Sequence, residues 1–399
     1  MTQTLAQGVA QDAPGALCRV CLAPLTRPFI DLGSMPLANG LLAAPASPDP
    51  KYPLRVRVCD RCLLVQADPI VAPEDLFSNY PFQSSMSAPW LAHCADYAAA
   101  MTDRFGLTAD SQVIEVASND GCLLAAFDGP KVVGVDPARN IAAHALVPTY
   151  IEFFTADLAH RLPRADLVVA NNVLGHVPDL NDFVAGLATL LKRDGVLTIE
   201  VPWLLDLIEG CQFDTIYHEH FSYFSLHALE HVLDRHGLHV FDVEHLGVHG
   251  GSLRVFVSRE RRAGRMVDEF RYREEQFGLT DPASPCYAEF APAAETCITA
   301  LRSFFDHHDH VAGAGAPAKG NTLLNAAGVR FPALEFVTDV SPHKQGRFLP
   351  GSHVPVRAPE WMAERRPEFV LVLAWNWYDE IVRRFPDWGQ TFVHPLRLL

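Results

Sequence analysis

The sequence predicts an α/β protein in three units: a central doubly wound parallel sheet, a small cysteine-clamped domain before it, and a second, smaller α/β domain after it. Three observations predict this. Two Cys-x-x-Cys pairs lie between Cys18 and Cys62. Apolar runs of strand length alternate with helix-length segments over 112–201, the pattern of parallel strands joined by crossover helices. A second alternation begins at Val311.

Size and composition agree with this division. A chain of 399 residues exceeds what one hydrophobic core usually organises. Its 49% hydrophobic and 20% charged residues are those of a globular chain rather than a disordered one. A formal net charge of -15 argues against a nucleic-acid binder, because such proteins gain affinity from lysines and arginines that neutralise phosphates. Residues 1–14 carry neither a basic start nor a sustained apolar stretch. A cytoplasmic protein with no membrane or nucleic-acid partner is expected; the sequence leaves the oligomeric state open, and a monomer is compatible with it.

The first unit, 1–75, is rich in proline and turn residues, with short apolar pieces at 54–58 and 63–65. The second, 76–260, opens with a helical pattern over 89–105. Strands follow at 112–116, 132–135, 167–170 and 196–201, and a hairpin within 238–257 closes the sheet. The third, 261–399, begins within a charged helical stretch, 259–276, and passes a break around Pro282 and Pro285. Its strands are expected at 311–314, 336–339 and 369–374. His307, His308 and His310 read as a helix end and loop, not as a second metal site.

Cys18 and Cys21 are separated by two residues, as are Cys59 and Cys62. Together they supply four soft thiolates, the set that tetrahedral zinc takes at about 2.3 Å per bond. Ordinary buried cysteines rarely fall into both spacings in so small a region. Four protein ligands leave no open position for water, so the zinc is expected to be structural.

Strand 112–116 carries Glu115 and runs into a turn of small and polar residues: Ser118, Asn119, Asp120 and Gly121. Open α/β sheets bind nucleotide-like ligands at such strand ends. The turn lacks G-x-G-x-x-G spacing, which weakens a nicotinamide reading; a strand-end carboxylate suits a cofactor with an aminoacyl group and no pyrophosphate. Strand 132–135 ends in Asp136 and Pro137, where a carboxylate accepts both hydroxyls of a ribose. A simple helix N-cap is the alternative for Asp136. Asp157 is placed to meet an adenine amine, and Asn171 and Asn172 to line a methyl-donor pocket. The ordered series favours S-adenosylmethionine.

At this point several motifs converge: the paired cysteines with residues 32–39, the turn 118–121, the run 171–177, the stretch Tyr217, His218, Glu219, His220, and the run 315–322. They resemble the nucleotide-sugar C-methyltransferases of deoxysugar biosynthesis, including sugar C-3'-methyltransferases of antibiotic pathways. The likeness covers nearly the whole chain. It implies a zinc-binding N-terminal domain, a Rossmann-like S-adenosylmethionine methyltransferase sheet, and a C-terminal Rossmann-like domain that helps enclose a nucleotide-linked 4-keto sugar, with dTDP expected as the nucleotide. It also implies that 216–224 is the catalytic stretch and that Tyr80 reaches the sugar. Ala117 and Gly175 stand where relatives often carry the other small residue, and neither removes a functional group.

Carbon becomes nucleophilic only after a proton is removed, and a hydrogen beside a ketone is removable because an enolate results. His220 is the expected base, since an imidazole with pKa near ~6.5 is partly free at neutral pH. Such a base contributes about 10² to 10⁴ in rate. Glu219 would orient an imidazole or hold a sugar hydroxyl, and Tyr217 and His176 would donate to the enolate oxygen; sequence leaves these roles interchangeable. A polar surface loop is the bland alternative for 217–220, and a structural histidine for His176. In the third unit, Lys319 near a helix start suits a diphosphate, with Asn321 as a further contact, against a plain turn with an exposed lysine. The rival readings of the whole chain are an O-methyltransferase and a non-catalytic zinc-bearing binding protein.

Overall fold

The computed structural model describes residues 16–80, 83–86, 88–385 and 391–398. The leader-free reading of residues 1–14 falls outside these, as do Pro81 and Phe82 beside Tyr80.

The N-terminal unit is more regular than its proline content suggests. β1 (Arg27–Pro36), β2 (Lys51–Val58) and β3 (Val65–Ala67) form an antiparallel meander. Leu54, Val56 and Val58, on one face of β2, are buried in a cluster with Phe29 and Ile30. The fourth strand comes from far along the chain: β9 (Ser222–Tyr223) pairs with β3, Val65 opposite Tyr223 and Gln66 opposite Ser222. The segment following His220 is thus a strand of the cysteine-bearing sheet.

The middle sheet holds β4 (Gln112–Val116), β5 (Lys131–Val135), β6 (Thr149–Tyr150), β7 (Ala165–Asn171), β8 (Leu191–Pro202), β10 (His239–Leu246) and β11 (Ser252–Ser258) in the order β10-β11-β8-β7-β4-β5-β6. β4 to β8 are parallel, and the β10-β11 hairpin closes the sheet antiparallel to β8. Residues 167–170 are continuously apolar because helices cover both faces: Leu167 and Val169 pack with Tyr97 and Met101 of the helix Ala88–Phe105, Val168 and Ala170 with Phe183 and Leu187 of the helix Leu180–Leu190. The chain leaves β4 toward β6 on one side and returns to β7 on the other. This reversal opens a crevice at the strand C-termini. There the backbone is left-handed at non-glycine residues, Ala117 and Asn119 after β4 (φ 61° and 52°) and Asn172 after β7 (φ 55°), a costly conformation that concentrates at ligand sites.

The third sheet is parallel, β14 (Val356–Arg357), β13 (Leu334–Thr338), β12 (Val311–Ala314), β15 (Phe369–Val372) and β16 (Phe392–Val393), in that spatial order. The helix Arg265–Phe277 matches the charged stretch. After it comes the helix Cys286–His307, of which the sequence reading gave only the end at His307; it starts directly behind Pro285 and tolerates Pro292 inside it. The prolines read as a break are its entrance. Phe290 of this helix stacks on Phe29 of β1 with centroids 4.5 Å apart, seating the C-terminal part on the cysteine-bearing sheet.

Candidate active site

The four cysteine sulfurs lie within 4.8 Å of one another, Cys18 3.5 Å from Cys62 and Cys21 3.4 Å from Cys59. Sulfurs about 2.3 Å from a tetrahedral zinc are about 3.8 Å apart, whereas disulfide sulfurs sit at about 2.05 Å. The donor set therefore fits zinc. Both knuckles share one backbone design: Leu22 and Leu63, each following the second cysteine, are left-handed (φ 59° and 58°) and donate N–H to the carbonyl of the first.

The crevice between β4 and β7 gathers buried polar atoms that have no partner among the described residues: Glu115 Oε2, Ser118 Oγ, both amide atoms of Asn171, and Asn172 Nδ2. Buried polar atoms are ordinarily paired, so their concentration here marks a ligand site. Burial, helped by Cys122, Asp136 and Asp120, pushes the Glu115 carboxyl well above its usual range, and a cationic ligand group would reverse that. Asp136 accepts from the Asn119 and Ala138 amides at 2.7 and 2.8 Å. The helix behind it, Arg139–Ala142, takes Ala138 as its N-cap residue, so Asp136 and Pro137 lie ahead of the cap and the carboxylate braces the loop. Gly121 (φ 77°) is required, since a Cβ would lie 2.8 Å from Val147 Cγ2.

Asn119 and Asp120 turn their side chains to another task. Asn119 Oδ1 accepts from the Ser84 amide at 2.9 Å and Asp120 Oδ2 from the Ser85 amide at 3.0 Å, pinning 83–86 to the loop. Asp157 does not join the crevice. Its side chain is 92% exposed in the helix Ala156–Arg161 and lies 3.9 Å from Arg161, one helical turn on.

Tyr217, Glu219 and His220 converge with His176 and Tyr80. The Nδ1 of His220 lies 2.7 Å from the Thr215 carbonyl and that of His176 2.7 Å from the Glu219 carbonyl. Carbonyls only accept, so both Nδ1 atoms carry a proton, and in the neutral rings both Nε2 atoms are bare lone pairs. Burial lowers the pKa of both imidazoles, His220 well below its ordinary value with His176 and Lys319 contributing. Glu219 is buried and its Oε2 accepts from Asn39 Nδ2 at 2.7 Å; burial still pushes it up to about 7. The Tyr217 ring lies 3.9 Å from that of His220. Tyr80 is held through its main chain by Asn140, and its phenol feels both Glu219 and Asp136, so it stands between crevice and base. Burial raises both phenols, which stay protonated donors.

Family models match three consecutive stretches: a zinc binding domain over 18–77, a methyltransferase domain over 90–243, and a C-methyltransferase C-terminal domain over 247–396. The C-methyltransferase NovU of Streptomyces niveus is 37% identical over 400 residues, spanning 95% of this chain and 95% of that protein. The chain belongs to the C-methyltransferase family. Among solved structures, magnesium protoporphyrin IX methyltransferase of Synechocystis PCC 6803 with bound SAM is 15% identical, with 43% of this chain and 79% of that one covered and a TM-score of 0.33. YcgJ of Bacillus subtilis is 14% identical, with 42% and 99% covered and a TM-score of 0.35. The C-methyltransferase is an enzyme that uses S-adenosylmethionine and carries a zinc-binding domain. None of its described helices is long and apolar enough to cross a membrane.

The C-terminal part of this C-methyltransferase adds groups that sequence reasoning missed or misplaced. Lys319 is no surface lysine: its Nζ sits 4.0 Å from the centroid of the Trp375 ring and donates to Asn376 Oδ1 at 3.3 Å. Burial lowers it to about 8 while Asp214 pulls it back. Asp214 is fully buried, accepts from Trp375 Nε1 at 2.6 Å, and is pushed up to about 6 by burial. Asn321 faces its own helix, Ala318–Ala327, with Oδ1 3.3 Å from Asn325 Nδ2, and has an internal role. His249, left-handed at φ 57° in the turn Val248–Gly250, feels Lys319, His93 and His176; burial first, then these, lower it to about 4. The flanking glycines signalled a tight approach, since a Cβ on Gly250 would lie 2.5 Å from the Trp375 ring. Asn39 closes the motif run 32–39, but only the fold shows that it reaches Glu219.

Proposed function

We propose that this C-methyltransferase places the methyl group of S-adenosylmethionine on the carbon beside the ketone of a nucleotide-linked 4-keto deoxysugar, at C3, with dTDP as the nucleotide. One observation carries the reading: the partly buried His220 has its Nδ1–H committed to the Thr215 carbonyl, and with its pKa lowered by its surroundings Nε2 is left to take a proton. Bound in the β4–β7 crevice by Glu115, Ser118, Asp136, Asn171 and Asn172, S-adenosylmethionine supplies an electrophilic methyl group.

His220 Nε2 removes the C3 proton of the sugar. Charge then builds on the C4 oxygen, where protonated Tyr217 and Tyr80 donate hydrogen bonds and Glu219, near half-protonated at pH 7, holds a neighbouring hydroxyl or donates in turn. Lys319 adds positive potential nearby. Buried surroundings raise the worth of each of these interactions. A half-open depression of about 320 Å³ beside Trp375, lined by Trp377, Tyr378, Arg383, His394 and Arg397 and also by the carboxylates Asp379 and Glu380, offers room for the nucleotide part of the reading. Aromatic faces suit a base and arginine forks a diphosphate.

The test is incubation with S-adenosylmethionine and a panel of dTDP- and GDP-linked 4-keto-6-deoxy sugars, followed by mass spectrometry and carbon NMR. Gain of one methylene unit at a sugar carbon, retained after borohydride reduction, supports the proposal. A methyl on oxygen, or no gain despite tight cofactor binding, rejects it.

A further inference from the structure

Arg19 sits between the zinc-knuckle residues Cys18 and Cys21, yet its side chain reaches into the catalytic stretch. Its Nη1 donates to the Phe221 carbonyl at 2.8 Å and its Nη2 to the Ala67 carbonyl at 2.6 Å. The guanidinium carbon lies 5.4 Å from the centroid of the Phe221 ring. Gln66 anchors the other end: Oε1 accepts from the Arg19 amide at 3.0 Å and from Nη1 at 3.4 Å, while Nε2 donates to Cys18 Sγ at 3.3 Å. The knuckle itself is docked on the methyltransferase part, because Asn181 Nδ2 donates to the carbonyls of Arg19 and Val20 at 2.9 and 3.1 Å.

Phe221 follows His220 directly. Its carbonyl also accepts from the Ala67 amide at 3.0 Å, and its own amide donates to the Gly175 carbonyl at 2.7 Å, one residue before His176. An unbroken chain of hydrogen bonds therefore runs from a zinc-binding thiolate through Gln66 and Arg19 to the main chain between His220 and β9. We infer that Arg19 is a positioning residue: by clamping the Phe221 and Ala67 carbonyls together it fixes the main chain on which His220 stands, so the zinc knuckle sets the aim of the base. A lysine carries one ammonium and cannot reproduce the fork that spans two carbonyls. The inference rests on the assignment of His220 as base, and displacing a base by about 1 Å costs up to ~10² in rate.

The test compares full-length, zinc-loaded wild type with Arg19→Lys, Arg19→Ala and His220→Ala. Zinc content by native mass spectrometry, amide hydrogen exchange, S-adenosylmethionine affinity, and the separate kcat and KM are measured. Expected for both Arg19 variants is one zinc retained, faster exchange confined to the 217–223 stretch, kcat lowered ten- to a hundredfold, and cofactor Kd and acceptor KM within about twofold of wild type. Unchanged exchange and kcat would overturn the inference. Loss of zinc from Arg19→Lys would overturn it too, by making the arginine part of the metal site. Should His220→Ala stay active, the base assignment fails separately, while the exchange data still report whether Arg19 holds the segment.

Discussion

His176 and His220 face each other with ring centroids 4.8 Å apart, each giving its Nδ1–H to a main-chain carbonyl. Neither ring can become cationic without burdening the other. The pKa of His220 is depressed first by burial and then by His176, so its basic form persists as pH falls and is lost only below the ordinary value near 6.5. The acid limb of kcat is expected below pH 6.5. In His176→Asn, which removes one source of the depression, that limb moves upward, and a kcat–pH profile of the two proteins checks it.

Glu219 titrates in the opposite sense. Its native pKa of about 7 stands above the ordinary carboxylate value of 4.5, so the folded state holds a proton that the unfolded state has released. Stability contributed by this proton is complete below about 4.5 and is lost as pH rises to about 7. Urea unfolding at pH 5 and 7.5 is expected to show a steeper fall for wild type than for Glu219→Gln. Asn39→Leu, which removes a hydrogen bond that lowers Glu219, shifts the carboxyl band in an infrared titration to higher pH.

At the cofactor crevice two aspartates are expected to behave differently. Asp136→Ala removes a buried loop brace and, on the proposed function, the acceptor for the ribose hydroxyls, and is expected to weaken S-adenosylmethionine at least tenfold by calorimetry. Asp157→Ala alters an exposed side chain and is expected to change affinity by less than twofold.

Zinc removal should be felt beyond its own knuckles. One zinc per chain is expected, and stripping it with a strong chelator should expose the amides of β1, β2 and β3, while those of β12 and β15 stay protected in hydrogen exchange. Structural zinc contributes binding energy directly to folding, which is why the cysteine-bearing sheet should loosen first.

Much of this architecture was legible because it rests on local pattern. The Cys-x-x-Cys pairs, the turn after β4 and the apolar runs of β7 and β8 each write their chemistry into a few consecutive residues. β1 was not legible, because register shifts between Pro28 and Ile30 and between Asp31 and Ser34 break the period of two. β9 has two residues and carries no period at all. Asn39 meets Glu219, and Trp375 meets Asp214, only through tertiary packing. Asp157 followed the expected order along the chain, yet its place in the helix Ala156–Arg161 turns it to solvent.

The central claim is that His220 creates an enolate. Its most direct test omits methyl transfer: the enzyme is held with S-adenosylhomocysteine and a dTDP-4-keto-6-deoxy sugar in heavy water, and the C3 proton is followed by NMR. Loss of that proton signal with wild type, slowed by about 10² or more in His220→Asn, is the predicted result. Equal exchange in the two proteins, or none with wild type although the same enzyme methylates that sugar once S-adenosylmethionine replaces S-adenosylhomocysteine, would contradict the account.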